Sequence, residues 1–225
     1  MGRAIRVDVG NQLYHVLNRA NGRQTIFHSS KDYQHFESLL AKAVKDTSMR
    51  LLAYAVMPNH WHLILYPHQD GDLKRFMQWL TLTHTQQYHV RNKTIGYGHL
   101  YQGRYKSFLI ERDNYLLAAI KYVERNPVRA KLAKKVESWQ WGSGYRRLEG
   151  KATERLILTD SPVDLPRVYR TWVNKSDTDD DLTDARIAVN KGKPFGTIEW
   201  TKRMVERFGL ELTTRQRGRP KKTTT

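Results

Sequence analysis

The chain has 225 residues, with 39 Lys and Arg against 22 Asp and Glu, a formal net charge of +17 and a pI near 10.1. Its 39% hydrophobic and 11% aromatic content is that of a globular protein, and the length allows one well-buried domain plus an extension. No apolar run approaches the ~20 residues of a membrane helix, the N-terminus lacks the apolar stretch of a secretory signal, and the absence of cysteine excludes disulfides and thiolate metal sites. We therefore expect a cytoplasmic, nucleoid-associated protein whose positive field attracts a polyanion, nucleic acid above all.

In chain order, residues 12–19 alternate and predict a strand, followed by a polar, basic turn over 18–24. Residues 31–45 repeat apolar positions at three and four residues (Phe36, Leu39, Leu40, Ala43, Val44), which predicts a helix. Residues 50–56 and 60–66 are apolar runs joined by Pro58-Asn59, the signal of a hairpin. A second long helix is expected over 72–90, with Leu73, Phe76, Met77, Leu80 and His84 along one face. A loop rich in Gly, Tyr and basic residues spans 96–106, and 107–111 reads as a short strand. Asp113 is placed to cap a helix over 114–125, which Pro127 is expected to close. The order of elements is the βαββαβ series of a ferredoxin-like antiparallel sheet backed by helices, an α+β fold.

The character changes after Leu148, so residues 1–148 are read as the main domain, 149–214 as an extension and 215–225 as a basic tail. Residues 176–184 hold five acidic and no basic residues; they read as a solvated loop leading into a helix, without the Gly and terminal Glu of a calcium loop. A short amphipathic helix is expected over 196–208, around Ile198, Trp200, Val205 and Phe208. The tail contains Arg217-Gly-Arg219-Pro, the core of an AT-hook, in which two Arg side chains enter the minor groove. A plain disordered basic tail fits the same residues, and either adds non-specific DNA affinity.

The chain is organised around residues 53–67. On a strand, side chains at i and i+2 share a face, so His60 and His62 point the same way and Trp61 points opposite. Two imidazoles on a rigid strand are half of a metal site, although two polar residues on a solvated face make the same pattern. On the helix over 114–125, Tyr122 lies one turn from Asn126, while Leu116, Ile120 and Val123 form a separate apolar stripe that can pack on the sheet. His60, His62 and the Asn126 oxygen amount to three neutral ligands with positions left open for phosphate oxygens and water, and a phenol beside them can attack phosphorus. Taken alone, Tyr122 and Asn126 also read as a helix-edge tyrosine and a helix-ending amide.

Ala53-Tyr-Ala-Val-Met-Pro-Asn-His-Trp-His62 and Tyr122-Val-Glu-Arg-Asn-Pro-Val-Arg-Ala130 resemble the paired signatures of the single-tyrosine HUH transposases, and within these the REP-associated tyrosine transposases. Tyr14-His-Val-Leu-Asn-Arg19, Gln24-Thr-Ile-Phe27, Gly103-Arg-Tyr-Lys-Ser107 and Trp139-Gln-Trp-Gly-Ser143 fit the same family, so the likeness spans about residues 10–148. It implies a ferredoxin-like fold, a divalent Mg or Mn ion, and cleavage of single-stranded DNA beside a hairpin through a 5′-phosphotyrosine and a free 3′-OH. Carried over, Tyr122 is the nucleophile, and His60, His62 and Asn126 are the metal ligands. Asn126 stands where the insertion-sequence branch has a Gln, and the REP-associated branch fits better there. Tyr115, two turns before Tyr122, is the rival nucleophile, but the residue four positions after it is Ala119, which cannot bind metal.

Arg19, Arg23, Arg104, Lys106 and Arg129 are candidate phosphate contacts, and Tyr97, Tyr101 and Tyr105 are candidates for stacking on unpaired bases or for ordinary loop packing. The expected partner is single-stranded or hairpin DNA, bound by a monomer or homodimer. The competing readings are a hairpin-binding protein that does not cleave and a hydrolase whose histidines activate water.

Overall fold

The computed structural model describes residues 6–151 and 157–215. Strand β1 (Leu13–Arg19) leads through a short turn to helix α1 (Ser30–Thr47), then β2 (Arg50–Met57), β3 (His60–Tyr66), helix α2 (Asp72–Asn92) and β4 (Lys106–Ile110). The sheet order is β2-β3-β1-β4 with every pair antiparallel, as the βαββαβ series requires. Local chemistry sets the helix ends. Asp32 accepts from the Ser29 backbone N–H at 2.9 Å in a capping box, Asp8 accepts from the Leu73 and Lys74 N–H groups at the start of α2, and Asp113 accepts from the Tyr115 N–H at 2.7 Å.

Both faces of the sheet are covered, which is why its strands read as nearly continuous apolar runs. On one face Trp61, Leu63 and Leu65 pack with Tyr14, Val16, Phe36 and Phe76 beneath α1 and α2. On the other, Leu17, Ile64, Phe108 and Ile110 pack beneath helix α3 (Asn114–Glu124) through its stripe of Leu116, Ile120 and Val123. The face that carries His62 is therefore buried rather than solvated: His62 is 3% exposed.

Pro127 does not close the helical run. The chain turns at Arg125 and re-enters a short helix, α4 (Asn126–Arg129), with Pro127 in its first turn, where a missing N–H leaves no bond unmade. The consequence is positional, because Arg129 is brought back alongside Tyr122.

Beyond residue 130 the chain closes both edges of the sheet. Trp141 accepts from the Val56 N–H at 2.9 Å and Trp139 Nε1 donates to Val56 O at 3.0 Å, covering β2 just before α5 (Ser143–Leu148). Phe195 exchanges backbone bonds with Leu109 and Glu111, covering β4. Between them lie α6 (Tyr169–Asn174) and α7 (Asp179–Lys191), and after them α8 (Ile198–Phe208) and α9 (Glu211–Thr214). Helix α8 buries Thr201 and Met204, whereas Ile198, expected on its apolar face, is 69% exposed in the first turn. The run 176–184 is not uniformly solvated either: the Asp177 side chain is only 8% exposed.

Candidate active site

The register assembles the site. Leu17 pairs with His62 and Arg19 with His60, so β1 and β3 present His15, Arg19, His60 and His62 on the α3 side of the sheet. Helix α3 lays Tyr122 across them: its ring centroid lies 6.4 Å from that of His62 and 6.0 Å from that of His15. His15 joins His62 in a 2.7 Å hydrogen bond between Nε2 and Nδ1.

The protonation states follow from burial. His62 is held well below the ordinary histidine range by desolvation, reinforced by His15 and His60. Burial lowers His60 to about 4 with help from Arg19, and His15 to about 3 with help from Arg129. All three are neutral at pH 7, the form that ligates a metal. For His60 the tautomer is fixed as well. Asn59 Nδ2 donates to Arg23 O at 2.9 Å, which identifies Asn59 Oδ1 as the atom 2.6 Å from His60 Nδ1. An amide oxygen only accepts, so His60 Nδ1 carries the proton and its Nε2 lone pair is left for a ligand.

Among the described residues no three His, Cys, Asp or Glu are grouped to hold a metal ion. A metal ion beside His60 and His62 would take a third protein ligand of another kind. Asn126 follows Tyr122 by one turn, and its Nδ2 is buried with no hydrogen-bond partner. No bond at that atom ties the amide, and rotation about its last torsion exchanges the nitrogen for an oxygen, the donor that a divalent cation takes. Two neutral imidazoles and this amide fit such an ion.

Burial pushes the Tyr122 phenol above its ordinary value, against the pull of Arg129, Arg186 and Arg19, while Asp177 adds to the rise. The guanidinium carbon of Arg129 lies 4.2 Å from the Tyr122 ring centroid, and Arg129 donates to the Tyr122 backbone oxygen. Tyr115 has other company. Its ring packs edge-on against Phe195 at 5.0 Å, and after burial its phenol is raised by Asp184, Glu111, Asp113 and Glu199. Three cations and one carboxylate act on Tyr122, whereas the charged groups acting on Tyr115 are all carboxylates.

Of the other predicted contacts, Arg23 and Arg104 are exposed, and Arg19 is half-buried beside His60. Lys106 opens β4 with its side chain exposed. Arg129 is turned inward onto Asp177 and Tyr122. Of the three tyrosines, Tyr97 is 85% exposed and Tyr105 lies under the Arg6 guanidinium at 4.5 Å. Tyr101 is buried, with its hydroxyl accepting from Trp61 Nε1 at 3.0 Å and 2.6 Å from His84 Nδ1. It presents no open ring face to a base. A groove of about 1090 Å³ runs between α2 and the 98–105 loop, lined in part by Arg6, Lys74, His89, His99 and Arg104 and reaching Asn18, the neighbour of Arg19. Arg217 and Arg219 lie outside the described residues.

An antiparallel ferredoxin-like sheet with a tyrosine helix across its strand histidines, and the match of the chain to a family model, together define a transposase. The family model for IS200-like transposases matches residues 8–126, just over half of the chain, and the protein belongs to that family. Among solved structures it is similar to a REP-associated tyrosine transposase bound to a REP hairpin, at 20% identity and a TM-score of 0.54 over 65% of this chain and 84% of that one. A putative transposase from Deinococcus radiodurans matches at 19% identity and a TM-score of 0.38, over 56% of this chain and 95% of that one. No curated protein matches the sequence. No helix among the described residues is long and apolar enough to cross a membrane.

Proposed function

We propose that this transposase is a metal-dependent nuclease and strand transferase for single-stranded, hairpin-forming DNA, acting through a covalent 5′-phosphotyrosine at Tyr122. The observation that carries the reading is the Tyr122 ring 6.4 Å from that of His62, on the side of the sheet where burial keeps His60 and His62 neutral. The phenol oxygen attacks the phosphorus and loses its proton, the bond from phosphorus to the 3′ oxygen breaks, and that oxygen leaves as a 3′-OH. A 3′-OH attacking the phosphotyrosine reverses the exchange, so no external energy source is required.

Mg²⁺ or Mn²⁺ held by His60, His62 and Asn126 would supply positive charge to the phosphate oxygens in flight. Arg19 stands opposite His60 in register, where it adds charge to the same side of the sheet. Arg23, Arg104 and Lys106 extend the positive surface, and the groove at α2 offers a track for unpaired DNA. Hairpin DNA as the partner is supported by the structural neighbour, which holds a REP hairpin.

The test is a denaturing gel of labelled single-stranded hairpin DNA incubated with protein and Mg²⁺ or Mn²⁺. A metal-dependent protein–DNA adduct is expected from wild type and Tyr115→Phe and not from Tyr122→Phe. Loss of the adduct in Tyr115→Phe alone moves the nucleophile, and hairpin binding without any adduct replaces the reading with a binding protein.

A further inference from the structure

Asp177 lies in the link between α6 and α7, well beyond the residues matched by the family model. Its buried carboxylate receives Arg125 Nε at 3.0 Å, Arg129 Nη1 at 3.1 Å and Lys121 Nζ at 3.5 Å. These three cations are spaced four apart along α3 and α4, on one helical stripe. Arg125 also donates to Val173 O at 3.1 Å and Asn174 O at 2.8 Å, clasping the end of α6. Through Nη2, Arg129 donates to the backbone oxygen of Tyr122, and its guanidinium covers the Tyr122 ring.

We propose that Asp177 is a positioning residue for the nucleophile: it holds the Arg129 guanidinium over the phenol ring of Tyr122 so that the ring is presented in one orientation. The inference rests on the assignment of Tyr122 made above. The ring is walled by His15 and His62 at centroid distances of 6.0 and 6.4 Å and by the Arg129 guanidinium at 4.2 Å. Arginine is a long side chain with much rotamer freedom to lose, and a single bond to a backbone oxygen holds it poorly. A buried carboxylate that is itself fixed by Arg125 and Lys121 removes that freedom. Asp177, which lies after the main domain, thereby acts on the reaction through Arg129.

The experiment measures two quantities on the full chain: the affinity for hairpin DNA, and the single-turnover rate of adduct formation at saturating DNA and metal. In Asp177→Asn the rate is expected to fall roughly tenfold with the affinity within about twofold, since misplacing a reacting group acts on rate rather than on binding. Asp177→Glu recovers most of the rate, and adding Asp177→Asn to Arg129→Gln slows the reaction no further. If Asp177→Asn does not fold, Arg129→Gln decides, because it leaves Asp177 bonded to Arg125 and Lys121. A lower rate at unchanged affinity supports the inference. An unchanged rate, or a loss confined to affinity, overturns it, the latter making Arg129 a phosphate contact. An adduct that persists in Tyr122→Phe overturns the nucleophile assignment and this inference with it, whereas an adduct lost in Tyr122→Phe but formed at the wild-type rate in Asp177→Asn overturns this inference alone.

Discussion

Nε2 of His15 lies 2.7 Å from Nδ1 of His62, across the neighbouring strands β1 and β3. The pair is diagonal in the sheet, since Leu17 is the residue directly opposite His62. Both rings are neutral, so one proton is shared between the two nitrogens. If His62 is to offer Nε2 to a metal, its Nδ1 must donate and His15 must accept. Asn59 does for His60 what His15 would then do for His62, accepting the Nδ1 proton and leaving Nε2 free.

Removing either acceptor should loosen the proposed ligands His60 and His62 without removing one. His15→Ala and Asn59→Ala are each expected to weaken Mn²⁺ binding by about 10- to 100-fold, the usual effect of losing a partner that orients a metal-ligating histidine. Titration of Mn²⁺ followed by electron paramagnetic resonance, without DNA, measures it. An affinity equal to that of wild type in both variants would show that these hydrogen bonds do not set the ligand geometry.

Tyr101 is expected to matter for stability. Its hydroxyl receives the Trp61 Nε1 proton and bonds to His84 Nδ1, and all three side chains are buried. Tyr101→Phe keeps the ring and strands two polar groups, which should cost about 1–3 kcal/mol. Urea unfolding reads the loss directly. Hairpin affinity, compared at a temperature where both proteins are folded, should not change.

The alternation of Trp61, Leu63 and Leu65 was legible in the sequence because a two-residue period survives in any strand, and the stripe of Leu116, Ile120 and Val123 for the equivalent reason in a helix. The role of His15 was not legible. It depends on the register of two strands far apart in sequence, and a strand buried on both faces gives no polar alternation to mark it. Asp177 was hidden in an acidic run that looks solvated. The signal that could have exposed it is the spacing Lys121, Arg125, Arg129, a cationic stripe on a helix that otherwise packs inward. Tyr101 reads like Tyr97 in a loop of Gly, Tyr and basic residues; what sets it apart is the fold, in which a backbone bridge to Ala20 ties the loop to the end of β1 and buries the Tyr101 ring.

Glu124, at the end of α3, joins this helix to the segments that follow it. Its side chain is fully buried; Oε1 accepts from Ser143 Oγ at 2.6 Å and from Arg147 Nε at 3.2 Å, and Oε2 accepts from the Tyr169 hydroxyl. Glu124→Ala removes the carboxylate from a largely buried arginine and two hydroxyls, leaving Arg147 its bond to Leu52 O and Ser143 its bond to Tyr54 O, so a loss of about 3–5 kcal/mol is expected. Glu124→Gln keeps the shape and one acceptor oxygen and should cost less, about 1–3 kcal/mol. Chemical denaturation of both variants checks the order, and a Gln variant weaker than the Ala variant would refute it.

Acid should unfold this protein through its buried histidines. Burial holds His84 down to about 3, with His35 and Arg91 acting in the same direction and Asp32 opposing them. In the unfolded chain a histidine titrates near 6.5, so below that pH the unfolded state takes up a proton that the folded state refuses. The sign is therefore fixed: the contribution is complete above about pH 6.5 and is lost as pH falls toward 3, at up to about 1.4 kcal/mol per pH unit for each such group. His15 and His60, lowered to about 3 and about 4, act with the same sign. His84 is the one to test, because it lies on the α1–α2 side of the sheet, packed against Phe27 and Phe36 and away from His60 and His62. His84→Gln retains an amide that can bond to Tyr101 and cannot be protonated. Between pH 6 and pH 5, urea unfolding of wild type should lose more stability than the variant does, by about 1 kcal/mol. Equal slopes in the two proteins would mean that His84 is protonated in the fold, and that its place beside Tyr101 does not exclude the charge.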